Sequence, residues 1–367
     1  MKLAILSPSE NQYSETFIEA HRKYLKGEIF YYCEGKHPNI CNGQNINSRW
    51  NKVVSKFYSR VIKDRDYGTK AALSKSLKRN KIDVILAEYG VLAFHNIEVI
   101  KKTNSPLVVH FHGYDASVYE ETKKCNNYKE VFKYASYIIV VSKKMREMIS
   151  KLGCPAEKII LNTYGPQPEF EKVSPEFKEK ALIAIGRFVN KKAPYYTILA
   201  FAKSVEKHSD AHLYLAGGGP LKEACENLVK YLKLEKNITF LGIITPEIFR
   251  SYLSKVYGFV QHSIRAKNGD MEGTPLAVLE SSVSGLPVVS TIHAGIPDVI
   301  VHNETGLLCQ EHDVEAMTTN MIKIFDDRND SIAMGEKGKR HILSHFTLSR
   351  HIDALDEIID KAYQENS

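Results

Sequence analysis

The chain has 367 residues, enough for two domains of ordinary size, and its composition (43% hydrophobic, 25% charged) is globular with no low-complexity tract. The net charge of +7 is unevenly shared: residues 1–161 hold 27 Lys/Arg against 16 Asp/Glu and the remainder 23 against 27, so the basic first half suits an anionic partner, either a membrane surface or an acidic acceptor. No apolar run approaches the roughly 20 residues that span a bilayer, and the six scattered cysteines form no C-x-x-C pair, which argues against a zinc or disulfide framework and for thiols in a reducing cytoplasm.

Along the chain, short β-rich runs alternate with helical stretches. The opening run is too short for a signal-peptide core and reads as a first strand, Leu3–Ser7. Further strands are expected at Ile29–Cys33, Val84–Ala87, Leu107–Phe111, Tyr137–Val141 and Ile159–Leu161. Between them, residues 49–81 are strongly basic. Trp50, Val53, Val54, Phe57, Tyr58 and Val61 recur at helical spacing, so a helix with a cationic back and an aromatic edge is expected. Such a helix fits an anionic membrane surface; packing on the sheet is the plainer alternative, and the two are compatible. Nucleic acid is not expected as a partner, because no nucleic-acid motif accompanies the charge.

The strand at 107–111 runs into His110-Phe-His112-Gly113-Tyr-Asp115. His110 and His112 share a strand face. A metal would need a third ligand, for which Asp115 is a candidate, but histidines at strand ends commonly only hydrogen-bond, and no metal site is expected. Gly113 lets the backbone turn close to a ligand, with His112 toward a cleft.

A Pro-rich break at 164–169 and Ser174-Pro175 separates a second series of strands: Leu182–Ile185, His212–Ala216, Ile238–Leu241, Gly258–Gln261, Pro287–Ser290 and Gly306–Cys309. The expected fold is therefore α/β, with two Rossmann-like, doubly wound parallel-sheet domains, residues 1–165 and 176–345, facing across a cleft. An amphipathic stretch at 348–363 would pack back on the first domain.

Three features of the second half carry chemistry. After the strand at 182–185, Gly186-Arg187-Phe-Val-Asn-Lys191-Lys192 places cations one and six residues beyond a glycine, a loop able to clamp a pyrophosphate, though a basic loop is also an ordinary solvated face. The turn Gly217-Gly218-Gly219-Pro220 fails the G-x-G-x-x-G spacing, since Lys222 stands where the third glycine belongs, so a tight strand-to-helix turn is expected and a nicotinamide dehydrogenase is disfavoured. Finally, Glu272-Gly-Thr-Pro-Leu-Ala-Val-Leu-Glu280 sets two carboxylates around the start of a helix over 276–285. The helix mouth can hold an anion, with one acid for ribose hydroxyls and the other for a sugar.

Together these residues resemble the retaining glycosyltransferases of family four, which have the GT-B fold. The matching pieces are Gly186-Arg187 with Lys192, the Gly217–Pro220 turn, Glu272-x7-Glu280, Gly285-Leu-Pro-Val-Val-Ser-Thr291, Ala294-Gly295-Ile-Pro-Asp298 and Asn303-Glu-Thr-Gly306. In the first half the matches are Ser14-Glu15-Thr16-Phe17, His110-Phe-His112-Gly113 and Asn162, which with Asn268–Gly273 resemble bacterial exopolysaccharide enzymes of the colanic-acid type. The resemblance implies that Arg187 and Lys192 neutralise the donor diphosphate and that Glu280 binds the ribose. It places Glu272 beside the donor sugar, Gly273, Thr274, Pro275 and Leu276 on sugar and phosphate through their backbone, Ile244 near the base, and His112 over the sugar. Ser14, His110 and Asp115 would face the acceptor. The loop Ser7-Pro-Ser-Glu-Asn-Gln-Tyr13 departs from the family's glycine pair, and Asp298 stands for its usual glutamate.

The expected activity is retaining transfer of a hexose from a nucleotide-diphosphate sugar, UDP-linked by preference, to a glycan or lipid-linked acceptor in surface polysaccharide synthesis. No cofactor or metal is expected, since side chains supply the positive charge, and the expected location is the cytoplasm, peripheral on the inner membrane face. The alternatives are a GDP-mannose-dependent mannosyltransferase, a sugar-nucleotide epimerase of similar fold, and a silent nucleotide-binding protein.

Overall fold

The computed structural model describes residues 1–10, 15–47 and 64–366. The chain divides into two units, Met1–Asn162 with His351–Ser367, and Thr163–Arg350.

The first unit is built on strands β1 (Lys2–Leu6), β2 (Glu28–Cys33), β3 (Ile40–Cys41), β4 (Gln44–Asn45), β5 (Val84–Glu88), β6 (Leu107–His110), β7 (Tyr137–Val140) and β8 (Ile159–Leu161). They lie in the order β4-β3-β2-β1-β5-β6-β7-β8. All pairs are parallel except those of β3 with β2 and β4. Leu3 to Leu6, Val84 to Ala87 and Ile138 to Val141 are wholly buried. Their sequences run apolar without alternation, as a sheet covered on both faces requires.

The β3–β4 hairpin is absent from the sequence reading. Its strands are two residues each, too short for a periodicity signal. Its turn, Asn42-Gly43 with φ of 48° and 77°, is nonetheless the residue pair that a tight hairpin with two left-handed positions selects.

The second unit holds β9 (Glu179–Ile185), β10 (His212–Ala216), β11 (Ile238–Gly242), β12 (Val256–Gln261), β13 (Val288–Thr291) and β14 (Gly306–Cys309), all parallel, in the order β11-β10-β9-β12-β13-β14. Phe201, Leu213, Val260, Met317 and Met321 lie in its core. Strand order reverses between β9 and β12, and in such sheets the ligand crevice opens at the carboxyl ends of the strands at that point. Helix Leu276–Val283, which enters from the β12 side, is held by close approach. A Cβ at Gly335 would stand 2.0 Å from the Gly285 carbonyl oxygen, and one at Gly338 2.8 Å from Ser282 Oγ, so helix Arg328–His345 passes directly against its end.

The division between units falls at 162/163 because the Pro-rich segment packs with the second unit. Phe170 lies against Phe249, with ring centroids 5.7 Å apart, and its carbonyl accepts a hydrogen bond from Ser284 Oγ at 3.2 Å. Helix Leu348–Asn366 delivers the chain back to the first unit from His351 onward. There Leu355, Ile359 and Ala362 are fully buried. Asn162 Nδ2 donates to the His351 carbonyl at 2.9 Å, and Tyr137 O–H to Glu365 at 2.7 Å. All six cysteines are free thiols. Among the described residues no helix is long and apolar enough to cross a membrane.

Candidate active site

The loops that follow β9 and β12 meet at the strand-order reversal of the second unit. Lys191 is buried there; its ammonium donates to Asp270 Oδ1 at 3.0 Å and to the Met271 carbonyl at 3.2 Å, and its own carbonyl accepts from Ile264 N at 2.9 Å. These bonds stitch the β9 loop to the β12 loop and set the position of Glu272, the next residue. Lys192 passes over Gly186, where a Cβ would stand 3.2 Å from Lys192 Cε. Its ammonium donates to Gln261 Oε1, at the end of β12, at 3.1 Å and pairs with Glu272 Oε2 at 3.2 Å. Arg187 is exposed at the mouth of the same pocket, which Ala184, Phe188, Thr197 and Gln261 also line. Of these residues the sequence pointed to Arg187 and Lys192. Gln261 carried no signal, and the anchoring role of Lys191 was hidden behind its neighbour.

The glycine turn earns its composition from the backbone. Gly217 has φ 128°, and a Cβ on it would lie 1.9 Å from the Gly186 carbonyl oxygen. Gly219 has φ 146°, and its Cβ would lie 2.7 Å from the Phe188 carbonyl oxygen. Gly186 N donates to Ala216 O at 3.0 Å and Phe188 N to Gly218 O at 2.8 Å. The turn is therefore the floor on which the Arg187 loop rests, and it leads into helix Lys222–Tyr231. Ile244 is buried, while its neighbour Ile243 is exposed beside Gly218.

Glu272 is enclosed. Burial pushes its carboxyl up, but the ammonium groups of Lys192 and Lys191 outweigh that and hold it at about 2. Its Oε1 has no hydrogen-bond partner among the described residues, so a buried acceptor remains for a donor group such as a hydroxyl. Its main-chain N–H donates to His293 Nε2 at 3.1 Å, and His293 Nδ1 bonds Glu311 at 2.6 Å, which fixes the ring's tautomer. Burial lowers the pKa of Lys192, and Glu272 opposes that shift. Thr274 is buried and Pro275 caps helix Leu276–Val283. Val278 N–H donates to the Pro275 carbonyl at 3.1 Å, so the N–H groups of Leu276 and Ala277 are the ones at this helix start with no carbonyl of their own helix to bond. Glu280 lies one turn in, and side chains of a helix lean toward its N-terminus. Burial raises its carboxyl to about 7, with Arg250 pulling the other way.

In the first unit His112 is set by a carboxylate that the sequence reading missed. Glu88, at the end of β5 and fully buried, accepts from His21 Nδ1 at 2.7 Å and from His112 Nε2 at 2.8 Å. Burial pushes Glu88 up, but the two imidazoles hold it well below the usual carboxylate range. His112 also stacks on Phe17 at 4.4 Å and on His110 at 4.4 Å. Burial holds His110 well below the usual histidine range, so it is a neutral imidazole.

Two expectations need correcting here. His110 and Asp115 have no exposed surface, so neither can face an acceptor. Asp115 is neither an acceptor contact nor a metal ligand, because its carboxylate is taken by the backbone N–H groups of Gly90, His112 and Gly113 at 2.8, 3.1 and 3.0 Å. It shapes the turn that presents His112. Ser14 and the aromatic edge of the basic stretch, Trp50 to Val61, lie outside the described residues; within residues 49–81 the described part forms helix Tyr67–Asn80.

Two family models match the chain: Glycosyltransferase Family 4 over residues 29–161 and Glycosyl transferases group 1 over residues 166–341. Among curated proteins, the amylovoran biosynthesis glycosyltransferase AmsK of Erwinia amylovora is 26% identical over 301 residues, covering 79% of this chain and 73% of the relative. The putative colanic acid biosynthesis glycosyltransferase WcaL of Escherichia coli K12 is 25% identical over 275 residues, covering 72% and 67%. Among solved structures, Anabaena Alr3699/HepE in complex with UDP and glucose superposes with a TM-score of 0.78 at 15% identity, covering 98% of this chain and 100% of that one. At that identity the likeness speaks to the fold.

Proposed function

This chain belongs to the glycosyltransferases that join a Family 4 domain to a group 1 domain in the GT-B fold, and from that premise we propose that it moves a hexose from a nucleotide-diphosphate sugar, UDP-linked by preference, to a glycan or lipid-linked acceptor with retention at the anomeric carbon. The observation that carries the reading is the Lys192–Glu272 pair at the strand-order reversal. It puts a partly buried cation and a carboxylate with a spare acceptor atom beside a helix start, which is what a sugar diphosphate needs. In this reading Lys192, Arg187 and the N–H groups of Gly273, Thr274 and Leu276 take up the charge that grows on the β-phosphate as the glycosidic bond breaks. Glu272 receives a hydroxyl of the donor sugar, Glu280 receives the ribose hydroxyls, and the backbone around Ile244 meets the base. The acceptor hydroxyl attacks from the face the leaving group departs, and a phosphate oxygen takes its proton, so no further cofactor enters the reaction.

UDP is preferred because the similar fold of HepE holds UDP and glucose, and surface polysaccharide synthesis because AmsK and WcaL carry those names. The resemblance places His112 over the donor sugar and gives the acceptor to the first unit. The basic sequence at 49–81 supports a peripheral position on an anionic membrane from the cytoplasmic side. The two family models are transferase models, and no observation favours the epimerase alternative.

The test is a thermal-stability screen of UDP- and GDP-sugars, since a ligand at 100 times its Kd adds about 2.7 kcal/mol. It is followed by NMR of the product's anomeric centre with the stabilising donor and a lipid-linked acceptor. Stabilisation by UDP-sugars and a retained anomer are expected. Stabilisation by GDP-mannose alone moves the assignment to a mannosyltransferase. A donor returned as its epimer with no nucleotide released sinks the transferase reading.

A further inference from the structure

The interior of the first unit gathers four imidazoles and one carboxylate. His21 comes from helix Thr16–Tyr24, His110 from the end of β6, His112 from the loop after it, and His351 from the C-terminal helix. All are buried around Glu88, with His112's side chain 3% exposed. His21 Nε2 faces His351 Nε2 at 2.8 Å, while the His21 and His110 rings lie 5.2 Å apart and those of His110 and His351 5.9 Å. One ligand atom from each of His21, His110 and His351 falls within 4.8 Å of the others.

We propose that these three histidines form a site for a divalent transition metal of the zinc class, its fourth position left to water, with Glu88 as the outer carboxylate that orients His21. Imidazole nitrogens are the donors this class selects, and zinc accepts three of them at about 2.0–2.1 Å each. Ligand nitrogens around such an ion stand about 3.3 Å apart, so the His21 and His351 rings need part by only about half an ångström. Glu88 supplies the second feature that metal-bound histidine shows. By accepting the Nδ1–H of His21 at 2.7 Å it leaves the Nε2 lone pair directed at His351. The single negative charge of Glu88 offsets part of the charge a cation would bring into a dry interior. Sequence spacing could not reveal the site, because His21 and His351 are 330 residues apart. The ion would fasten the returning helix to the carboxyl end of β6 and to helix Thr16–Tyr24. The site lies wholly in the first unit and does not depend on the donor assignment in the second.

The experiment uses the full chain purified without a histidine tag. Elemental analysis is expected to find one zinc-class ion per chain, and cobalt loaded into chelator-treated protein is expected to give visible ligand-field bands and raise the melting temperature. His351→Ala and His110→Ala should abolish the bands while the second unit keeps its own melting transition, and Glu88→Gln should weaken metal affinity about 10–100-fold. Wild-type chain that carries no transition metal and gives neither bands nor stabilisation with cobalt overturns the proposal, whatever the variants do. Retention of the bands in both histidine variants overturns the ligand set.

Discussion

Lys192 holds two roles that substitution can separate. It neutralises Glu272 in a largely enclosed pair, and in the proposed reaction it faces the leaving diphosphate. Lys192→Ala leaves a buried carboxylate unpaired, a loss of about 3–5 kcal/mol of stability, and it removes a transition-state contact worth about 3 kcal/mol, or about a hundredfold in kcat. Lys192→Met combined with Glu272→Gln is expected to recover most of the melting temperature and none of the turnover; recovery of both would reduce the pair to a packing feature. Arg187 is exposed, so Arg187→Ala should lower turnover with the melting temperature unchanged. Glu280 makes a pH statement. Its folded pKa of about 7 lies above the ordinary 4.5, so the folded state keeps a proton the unfolded chain has released. That contribution is complete below about pH 4.5 and is lost as pH rises through about 7. Glu280→Gln should therefore gain stability on wild type at pH 8, on the order of 1–2 kcal/mol, and match it near pH 4.5. If the ionised carboxylate receives the ribose hydroxyls, wild-type donor KM falls as pH rises through 7 while the variant's KM stays high and flat. A variant KM that tracks the wild-type profile would remove Glu280 from the donor site.

The Gly217–Gly219 turn is the element on which the Arg187 loop depends. Gly217→Ala puts a methyl 1.9 Å from a backbone oxygen at φ 128°, where neither partner is a flexible side chain. The loop must shift, and the expected result is a lower melting temperature with a donor KM raised about tenfold or more, the scale of a contact worth about 1.4 kcal/mol; an unaffected KM would show that the loop does not touch the donor. This dependence was only half legible in the sequence. The strands were legible because each of the longer buried ones is an apolar β-rich run between turn signals, from Leu3–Leu6 to Gly306–Cys309. The helix expected over 276–285 forms over Leu276–Val283, two residues shorter at its end. The β3–β4 hairpin was not legible, since four strand residues make no pattern beyond the Asn42-Gly43 pair. Nor was the work of Lys191, Gln261 or Glu88, because each acts through a partner at least 24 positions away and only the folded sheet brings them together. Asp115 shows the converse case: its position beside two histidines suggested a ligand, and three backbone N–H groups claim it instead.

At the scale of the molecule, two units with separate cores should respond separately to ligand. Calorimetry of the full chain is expected to resolve two transitions, with UDP raising the one that belongs to residues 163–350 and leaving the other in place. A shift of both by equal amounts would indicate a single cooperative body. Removing residues 351–367 should destabilise the first unit, which loses the buried Leu355, Ile359 and Ala362, and should leave UDP stabilisation of the second intact. The route of the chain adds a constraint in time. Residues 163–350 are continuous, whereas the first unit is completed only by its second segment, His351–Ser367. During synthesis the later-made unit therefore has all its parts on leaving the ribosome before the earlier-made one does. The nascent N-terminal sheet must wait, uncapped where the last helix will seat, for about 190 further residues, which at 5–20 residues per second is on the order of ten seconds or more. A chaperone that binds this protein co-translationally should accordingly favour the first unit and let go when the final helix emerges.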